Sequence, residues 1–482
     1  MILHVNHLEP GLAGRASETL ATLLALIEQE GTDPRRLASL RVHLDWVQYR
    51  ANFRDAVTLR RASDGGGRRM TLAEIAIDLR QGTATDVREG LRAALGALGA
   101  ETADDGGRLY LEDCVPLHAS VIWRFNRLFW QRLADWEQAS GRGFEQALPS
   151  GRSDANHPDA VGDAVADFWT LLREIDKRGQ LPAELLALEI GVGTGARAAL
   201  WLDRFQVLDE ERGTGYYPRL RFLLADYSMP ALERASALVE RHRELVSLIG
   251  MDALNPLKAL AFLRYKVLSV HLTNVYDNLP VDELVRRDGR LYLVEARAYL
   301  TRTSAARLAA DVGLDEAALP SSVARLLEAG PDALGDRARG VAFWRSVWQA
   351  LRLEERLRGL DGVAEVPLPP GIQPSHLEDL LAAAPDDVRF QLSRGAAESF
   401  LNTLPLLHPR GYLQVQDIFV TSMEEYRQGF RGPGKLDGSV VNWVNGPLLQ
   451  AVAARAGYDL HFAPFRYRPG SRTSILYTTQ RD

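Results

Sequence analysis

Apolar residues recur along this chain with two different periods, and the change between them marks its organisation. The first 60 or so residues are rich in Ala, Leu and Arg, and the stretch Glu18-Thr-Leu-Ala-Thr-Leu-Leu-Ala-Leu-Ile-Glu-Gln29 repeats apolar positions at helical spacing, which predicts helices there. Met70–Arg80 reads as another helix, Gln81-Gly82 as a turn and Thr85–Leu98 as a further helix. A strand pair broken at Asp104-Asp105-Gly106-Gly107 follows, giving the order helix, turn, helix, wing. Val121–Trp136 carries Trp123, Phe125, Phe129, Trp130 and Trp136 on an amphipathic helix whose aromatic face suits either core packing or the enclosure of a ligand. The segment from Gly141 to Asp163 is polar and dense in turn formers, and it leads into a helix from Ala164 to Lys177. From Leu185 the pattern changes to buried strands alternating with helices, the mark of a parallel sheet covered on both faces. Strands are expected at Leu185–Ile190, Leu220–Ala225, Val246–Ile249, Val267–Leu272 and Gly411–Gln416, with a closing antiparallel strand at Thr473–Thr479. Residues 305–394 break this repeat. They are rich in Ala and Leu, contain Trp344 and Trp348, and read as a helical insertion. The expected organisation is a helical N-terminal region (1–140), a core begun in 141–304, the insertion, and a core completed in 395–482.

At 482 residues the chain exceeds what one hydrophobic core usually organises. Its 46% hydrophobic and 25% charged residues are the balance of a globular protein. A net charge of -6 with a pI of about 6.0 gives no global attraction to nucleic-acid backbones or anionic membranes. No apolar run is long enough to span a bilayer, and the start Met1–Leu12 lacks a basic region followed by an apolar stretch. The single cysteine, Cys114, excludes an internal disulfide and a cysteine-cluster metal site, and it fits a reducing compartment. Cytoplasmic residence with neither nucleic acid nor membrane as partner is the expectation.

The chemistry concentrates where the first core strand ends, in Glu189-Ile-Gly-Val-Gly-Thr-Gly195. Gly191, Gly193 and Gly195 let the backbone turn tightly and approach a ligand before a helix begins at Ala196. The same letters satisfy the permissive dinucleotide fingerprint, so NAD is one candidate ligand. Three features favour another. Glu189, two residues before the first glycine, resembles the acidic residue of motif I in class I S-adenosylmethionine (SAM) dependent methyltransferases. Asp226, in Ala225-Asp-Tyr-Ser-Met-Pro, lies well beyond the roughly 20-residue spacing of dinucleotide folds and resembles their ribose-binding carboxylate. Gly250-Met251-Asp252-Ala253 follows the third strand as their adenine-contacting segment does. The resemblance implies a Rossmann-like α/β core of seven strands and SAM as cofactor, held by Glu189, Gly191, Gly193, Gly195, Asp226, Tyr227, Met251, Asp252, Ala253 and Asn274. It calls for no metal. The helix, turn, helix, wing order resembles the winged-helix unit that some O-methyltransferases use to dimerise and to cover substrate. Its second helix mixes Arg88 and Arg92 with Asp86 and Glu89, which is not a surface for phosphate.

Residues from about 150 to 482 are similar to the MidA-type methyltransferases, a family that includes enzymes methylating a protein arginine. Asn274, Asp277, Leu279 and Pro280 match the family's Asn-Glu-aromatic-aromatic-Asp-Ala-Leu-Pro pattern, and Val285–Leu293 matches its hairpin. Gly411–Asp417 takes the place of its strand ending in Asp-Tyr-Gly, and Lys435–Val444 that of a later Gly-x-x-Asp segment. Val275 replaces the family's Glu, and Ile418-Phe419 replaces its Tyr-Gly. A guanidinium needs carboxylates to orient it and take its proton, so these departures favour a small-molecule O- or N-nucleophile over protein arginine. A general base is then required, and Asp277, His157 and His271 are candidates by position, with Asn274 beside them; Tyr276 either lines the acceptor pocket or packs. A non-catalytic scaffold or winged-helix regulator is the reading from outside the enzymes.

Overall fold

The computed structural model describes residues 1–6, 10–47, 49–63, 69–98, 107–148, 151–427 and 432–481. One of its two large sheets has seven strands: β1 (Leu185–Ile190), β2 (Leu220–Asp226), β3 (Val246–Gly250), β4 (Val267–Thr273), β5 (Leu407–Asp417), β6 (Tyr458–Pro464) and β7 (Ser474–Gln480). Their order is β6-β7-β5-β4-β1-β2-β3, all parallel except β7, which runs antiparallel to both neighbours. The central strands β1, β2 and β4 are largely apolar because both faces of the sheet are covered there. On one face the helices Pro158–Lys177 and Ala196–Arg212 pack Phe168, Leu172, Trp201 and Phe205 onto Leu185 and Phe222. On the other, Phe400 and Leu448 from the helices Arg394–Thr403 and Gly446–Arg455 meet Val270 and Leu272. The chain winds outward from β1 to β3 and returns on the other side of β1 to form β4. Strand order therefore reverses between β1 and β4, and a crevice opens at their carboxyl ends. The sequence reading lacked β6, an edge strand whose pattern of exposed and partly buried residues gives a weak apolar signal.

The second sheet has ten strands and revises the expected N-terminal architecture. Its path is Ile2–Asn6, Leu40–Asp45, Arg69–Asp78, Val57–Ser63, Arg352–Leu360, Arg290–Thr301, Asp282–Arg287 and Val388–Leu392, with Arg108–Tyr110 and Val115–Pro116 paired to Arg290–Thr301. The segment read as the first helix of a winged unit is a strand, so that reading does not hold. Only its second helix stands, as Ala84–Ala97, begun by a capping box between Thr83 and Asp86. Asp104, Asp105 and Gly106 of the expected wing lie outside the described residues. The insertion does contain helices, including Arg337–Ala350 with buried Trp344 and Trp348, but it also supplies the strands Arg352–Leu360 and Val388–Leu392. Residues 282–301, assigned in the sequence to the first part of the core, also belong to this second sheet.

Both misreadings have one cause. Charged residues in these strands point into the protein and are neutralised there, so they do not mark a solvent face. Glu74 accepts from Arg287 at 2.9 Å, and Glu355 takes two bonds from Arg389 at 2.9 and 3.0 Å and another from Arg60. The sheet curls until Arg41 reaches Asp288 and Asp387 beyond its other end. Burial pushes the Glu355 carboxyl up, but the pull of Arg389 and Arg60 is stronger and holds it below the usual range. Among the described residues no helix is long and apolar enough to cross a membrane. Replacing Glu355 with Gln removes a charge from between two guanidinium groups, leaving Arg389 with Glu283 alone and Arg60 with the more distant Glu74, and should cost about 3 kcal/mol of stability at pH 7, read from urea unfolding.

Candidate active site

The loop between β1 and the helix Ala196–Arg212 is shaped by contacts that only glycine permits. Gly191, Gly193 and Gly195 have φ of 76°, 55° and 80°. A Cβ on Gly191 would lie 2.4 Å from Val275 Cγ2, and one on Gly195 would lie 2.5 Å from Ala235 Cα. The loop is thus pressed between β4's following loop and the helix after β2. Gly191 and Gly193 line a cleft of about 990 Å3 over the β1–β4 crevice, whereas Gly195 caps the helix and packs away from it.

Acidic side chains from three successive strands face this cleft. Glu189 of β1 is buried and paired with Arg197 at 2.7 Å; burial raises its carboxyl, and the arginine offsets part of the rise. Asp226, at the end of β2, accepts the Ser228 and Gly193 N–H groups at 2.8 and 3.2 Å, tying the glycine loop to the second strand. Burial again pushes its carboxyl up against those bonds. Asp252 follows β3, accepts the Leu254 N–H at 2.9 Å and stays partly exposed between Met251 and Ala253. Tyr227, Met251, Asp252, Ala253, Asn274 and Asp277 all line the same cleft.

Asn274 turns the chain out of β4 with a left-handed φ of 51°. The turn that follows is organised from β5: Asp417 Oδ2 accepts the N–H groups of Tyr276 (2.9 Å) and Asp277 (3.3 Å), and Oδ1 accepts that of Ile418 (2.8 Å). Asp277 is buried and accepts from Asn278 Nδ2 at 2.7 Å. Burial and then the Asp417 charge raise its carboxyl well above the ordinary range, and burial raises Asp417 to about 7. Three backbone donors favour the ionised form of Asp417, while Asp277, with the Asp417 charge nearby, is pushed further toward its neutral form.

The cover comes from elements far away in sequence. Trp123, Phe129 and Trp130 of the helix Val121–Gln131 line the cleft, while Phe125 packs on Trp348, so the aromatic helix serves both purposes considered for it. Asn126 fixes this helix by donating to the Asn278 carbonyl at 2.8 Å and accepting the Val440 N–H at 2.9 Å. From the polar loop, Glu145 accepts from Thr194 (3.2 Å) and Asn156 (3.3 Å), and Asp154 binds Arg468, Ser471 and Thr473. His157 is not among the lining residues; it begins the helix Pro158–Lys177 and packs near Phe465 and Tyr467. His271 is buried between Gln414 and Thr273, and burial drives its imidazole well below the usual range, so it stays neutral and structural. Tyr276 is fully buried and packs. Sequence reasoning missed Arg197, Glu145 and His118, a lining residue bonded to the buried Asp282. The position of Arg197, two residues past the last glycine in the first turn of the helix, was a usable signal; the other two depend on distant partners. Among the described residues no group of three or more His, Cys, Asp or Glu side chains could hold a metal ion.

Fold and cleft together define a doubly wound, Rossmann-like α/β protein whose main cleft lies at the switch point of its sheet. The inserted antiparallel β7 sets it apart from the simple 3-2-1-4-5-6 dinucleotide order. No family model matches the chain, and no curated protein does. Among solved structures it is similar to a Burkholderia thailandensis protein bound to S-adenosyl-homocysteine, with 12% identity and a TM-score of 0.45 over 76% of this chain and 88% of that one. It is also similar to the CcbJ methyltransferase from Streptomyces caelestis (12% identity, TM-score 0.30, 67% of this chain and 95% of that one). A third is the DszA carbon methyltransferase (12% identity, TM-score 0.31, 76% and 67%). Likeness at this level carries no activity across, so the functional reading rests on the cleft.

Two outcomes test this geometry. Gly195→Ala should cost about 2–5 kcal/mol in urea unfolding, from left-handed strain plus overlap with Ala235. Gly213→Ala, at a φ of 63° with open space around it, should cost only about 1–2 kcal/mol. For the aspartate pair, the folded state holds a proton that the unfolded chain releases near pH 4. Stability from this source is therefore present at low pH and falls as pH rises from about 4 past 7. Unfolding midpoints across that range should show the fall in the wild type and a flatter profile in Asp277→Asn.

Proposed function

We propose that this protein is a SAM-dependent methyltransferase acting on a small-molecule acceptor. The observation that carries the reading is the convergence of Glu189, Asp226 and Asp252, from the ends of three successive strands, with Asn274 on one glycine-floored cleft. The residues fit the cofactor. Asp226 keeps lone pairs beyond its two backbone donors, as acceptance from a ribose diol requires. Met251 offers an apolar surface and Asp252 an acceptor for an adenine and its amino group. Glu189 and Arg197 present a carboxylate and a guanidinium, complementary to the ammonium and carboxylate of an amino-acid tail. A pyrophosphate on the glycine loop would instead meet the Glu189 charge, which argues against NAD.

When bound, the cofactor supplies an electrophilic methyl carbon, and transfer is an in-line displacement that depends on alignment and dryness. The Asn274–Pro280 turn, pinned by Asp417, forms one wall of the cleft, and the aromatic helix and Glu145 cover part of it from water. A partly covered cleft of this size suits a small acceptor. Protein arginine is disfavoured because Val275, where the resembling family has Glu, packs against Gly191, and because burial and the Asp417 charge push the Asp277 carboxyl toward its neutral form. The three cleft-facing carboxylates disfavour a scaffold without cofactor.

Calorimetric titration with SAM, and separately with NAD, tests the reading. Saturable SAM binding is expected, weakened about 10- to 100-fold in Asp226→Ala by the loss of charged hydrogen bonds. NAD binding in preference to SAM, or no change in the variant, would refute it.

A further inference from the structure

His118 and Asp282 form a pair that the sequence gives no reason to connect. His118 lies in the short turn Leu117–Ala119, just before the aromatic helix; Asp282 opens the strand that follows the Asn274–Pro280 turn. His118 Nδ1 is 2.8 Å from both Asp282 oxygens, and the His118 backbone N–H donates to Oδ1 at 3.0 Å. Asp282 is fully buried, with the Arg394 guanidinium 3.8 Å away. The imidazole is a quarter exposed and lines the cleft that also holds Asn274 and Asp277. With Nδ1–H committed to the carboxylate, Nε2 is left as the lone-pair nitrogen available to a ligand. A buried carboxylate that fixes the tautomer and orientation of a cleft-facing imidazole is the arrangement of a general base.

Resting on the methyl-transfer reading, we propose that His118, positioned by Asp282, is the general base and that the acceptor is an aromatic hydroxyl. His118 Nε2 takes the hydroxyl proton as the oxygen's electron pair forms the bond to the methyl carbon. The carbon–sulfur bond breaks with its pair passing to sulfur, which becomes a neutral thioether; the imidazolium later returns its proton to solvent. Acidity narrows the acceptor class and the lining chooses within it. A phenol or an ammonium with pKa near 10 is within reach of an imidazole, whereas a guanidinium is not and a carboxylate needs no base; between the first two the aromatic walls favour the phenol. Trp46, Tyr49, Trp123 and Trp130 give the cleft the flat apolar walls that an aromatic ring requires.

The test is methyl transfer from SAM to a series of ring-substituted phenols running from unsubstituted phenol to 4-nitrophenol. Wild type, His118→Asn and Asp282→Asn are compared, with SAM affinity measured by calorimetry for each. The expected result is unchanged SAM affinity in all three, with transfer to phenol lowered about 100-fold or more in His118→Asn and at least about tenfold in Asp282→Asn. The loss should shrink toward 4-nitrophenol, which is ionised without help; a purely structural role would lower every acceptor equally. Wild type that binds SAM but methylates no phenol, or a His118→Asn loss independent of acceptor acidity, would overturn the proposal while leaving the cofactor reading intact. Wild type that fails to bind SAM would overturn both.

Discussion

The carboxylate of Asp417 is the constraint on which the site depends. It closes β5 inside the protein, where a charge is costly unless paired or well hydrogen-bonded. What satisfies it is the backbone of the neighbouring strand's loop: the N–H groups of Tyr276 and Asp277, with its own chain's Ile418. A turn that would otherwise leave its donors unmet is thereby fixed against β5. Val275, one residue earlier, then closes on Gly191, so the glycine loop of β1 is set by the same anchor. Moving Asp417 would release one wall of the cleft and its contact with the cofactor loop together.

A charge placed there also decides the chemistry beside it. Two buried carboxyl groups that repel one another cannot both ionise cheaply, and the backbone donors favour the charge on Asp417. Asp277 is thereby biased toward its neutral form, which makes it a poor free base. Base catalysis is left to a group whose own carboxylate partner is buried apart from this pair, and His118 with Asp282 meets that description.

The second sheet supplies what the core lacks. Its strands carry Asp282 to the rim of the cleft, and its short strand Val115–Pro116 delivers His118 and the aromatic helix over it. Inward-facing ion pairs link the strands of this sheet. Paired charges in a core add little net stability, but a strand shifted out of register would leave them unpaired, and here the register places the cover of the site.

How far the chain could be read depended on whether the signal was local. Buried parallel strands show as apolar runs, and the glycines at 191, 193 and 195 announce a turn that tolerates no Cβ. β1 to β5, β7 and the cleft-lining Glu189, Asp226, Asp252, Asn274 and Asp277 were legible for that reason. Strands whose charges are neutralised by partners on other strands, 34 to 295 residues away, were not: Glu74 and Glu355 look like solvent-facing positions until Arg287, Arg60 and Arg389 are seen beside them. His157 and His118 reverse for the same reason. The first sits near the glycine loop's cover in sequence yet packs on Phe465 and Tyr467; the second has no motif around it and gains its partner across 164 residues. The sequence by itself determined the doubly wound core and the acidic strand ends, because strand burial and glycine φ are properties of short segments. Only the tertiary structure decided which imidazole meets the cleft and which carboxyl groups burial and a neighbouring charge push up, because both depend on distances between residues that the chain brings together only on folding.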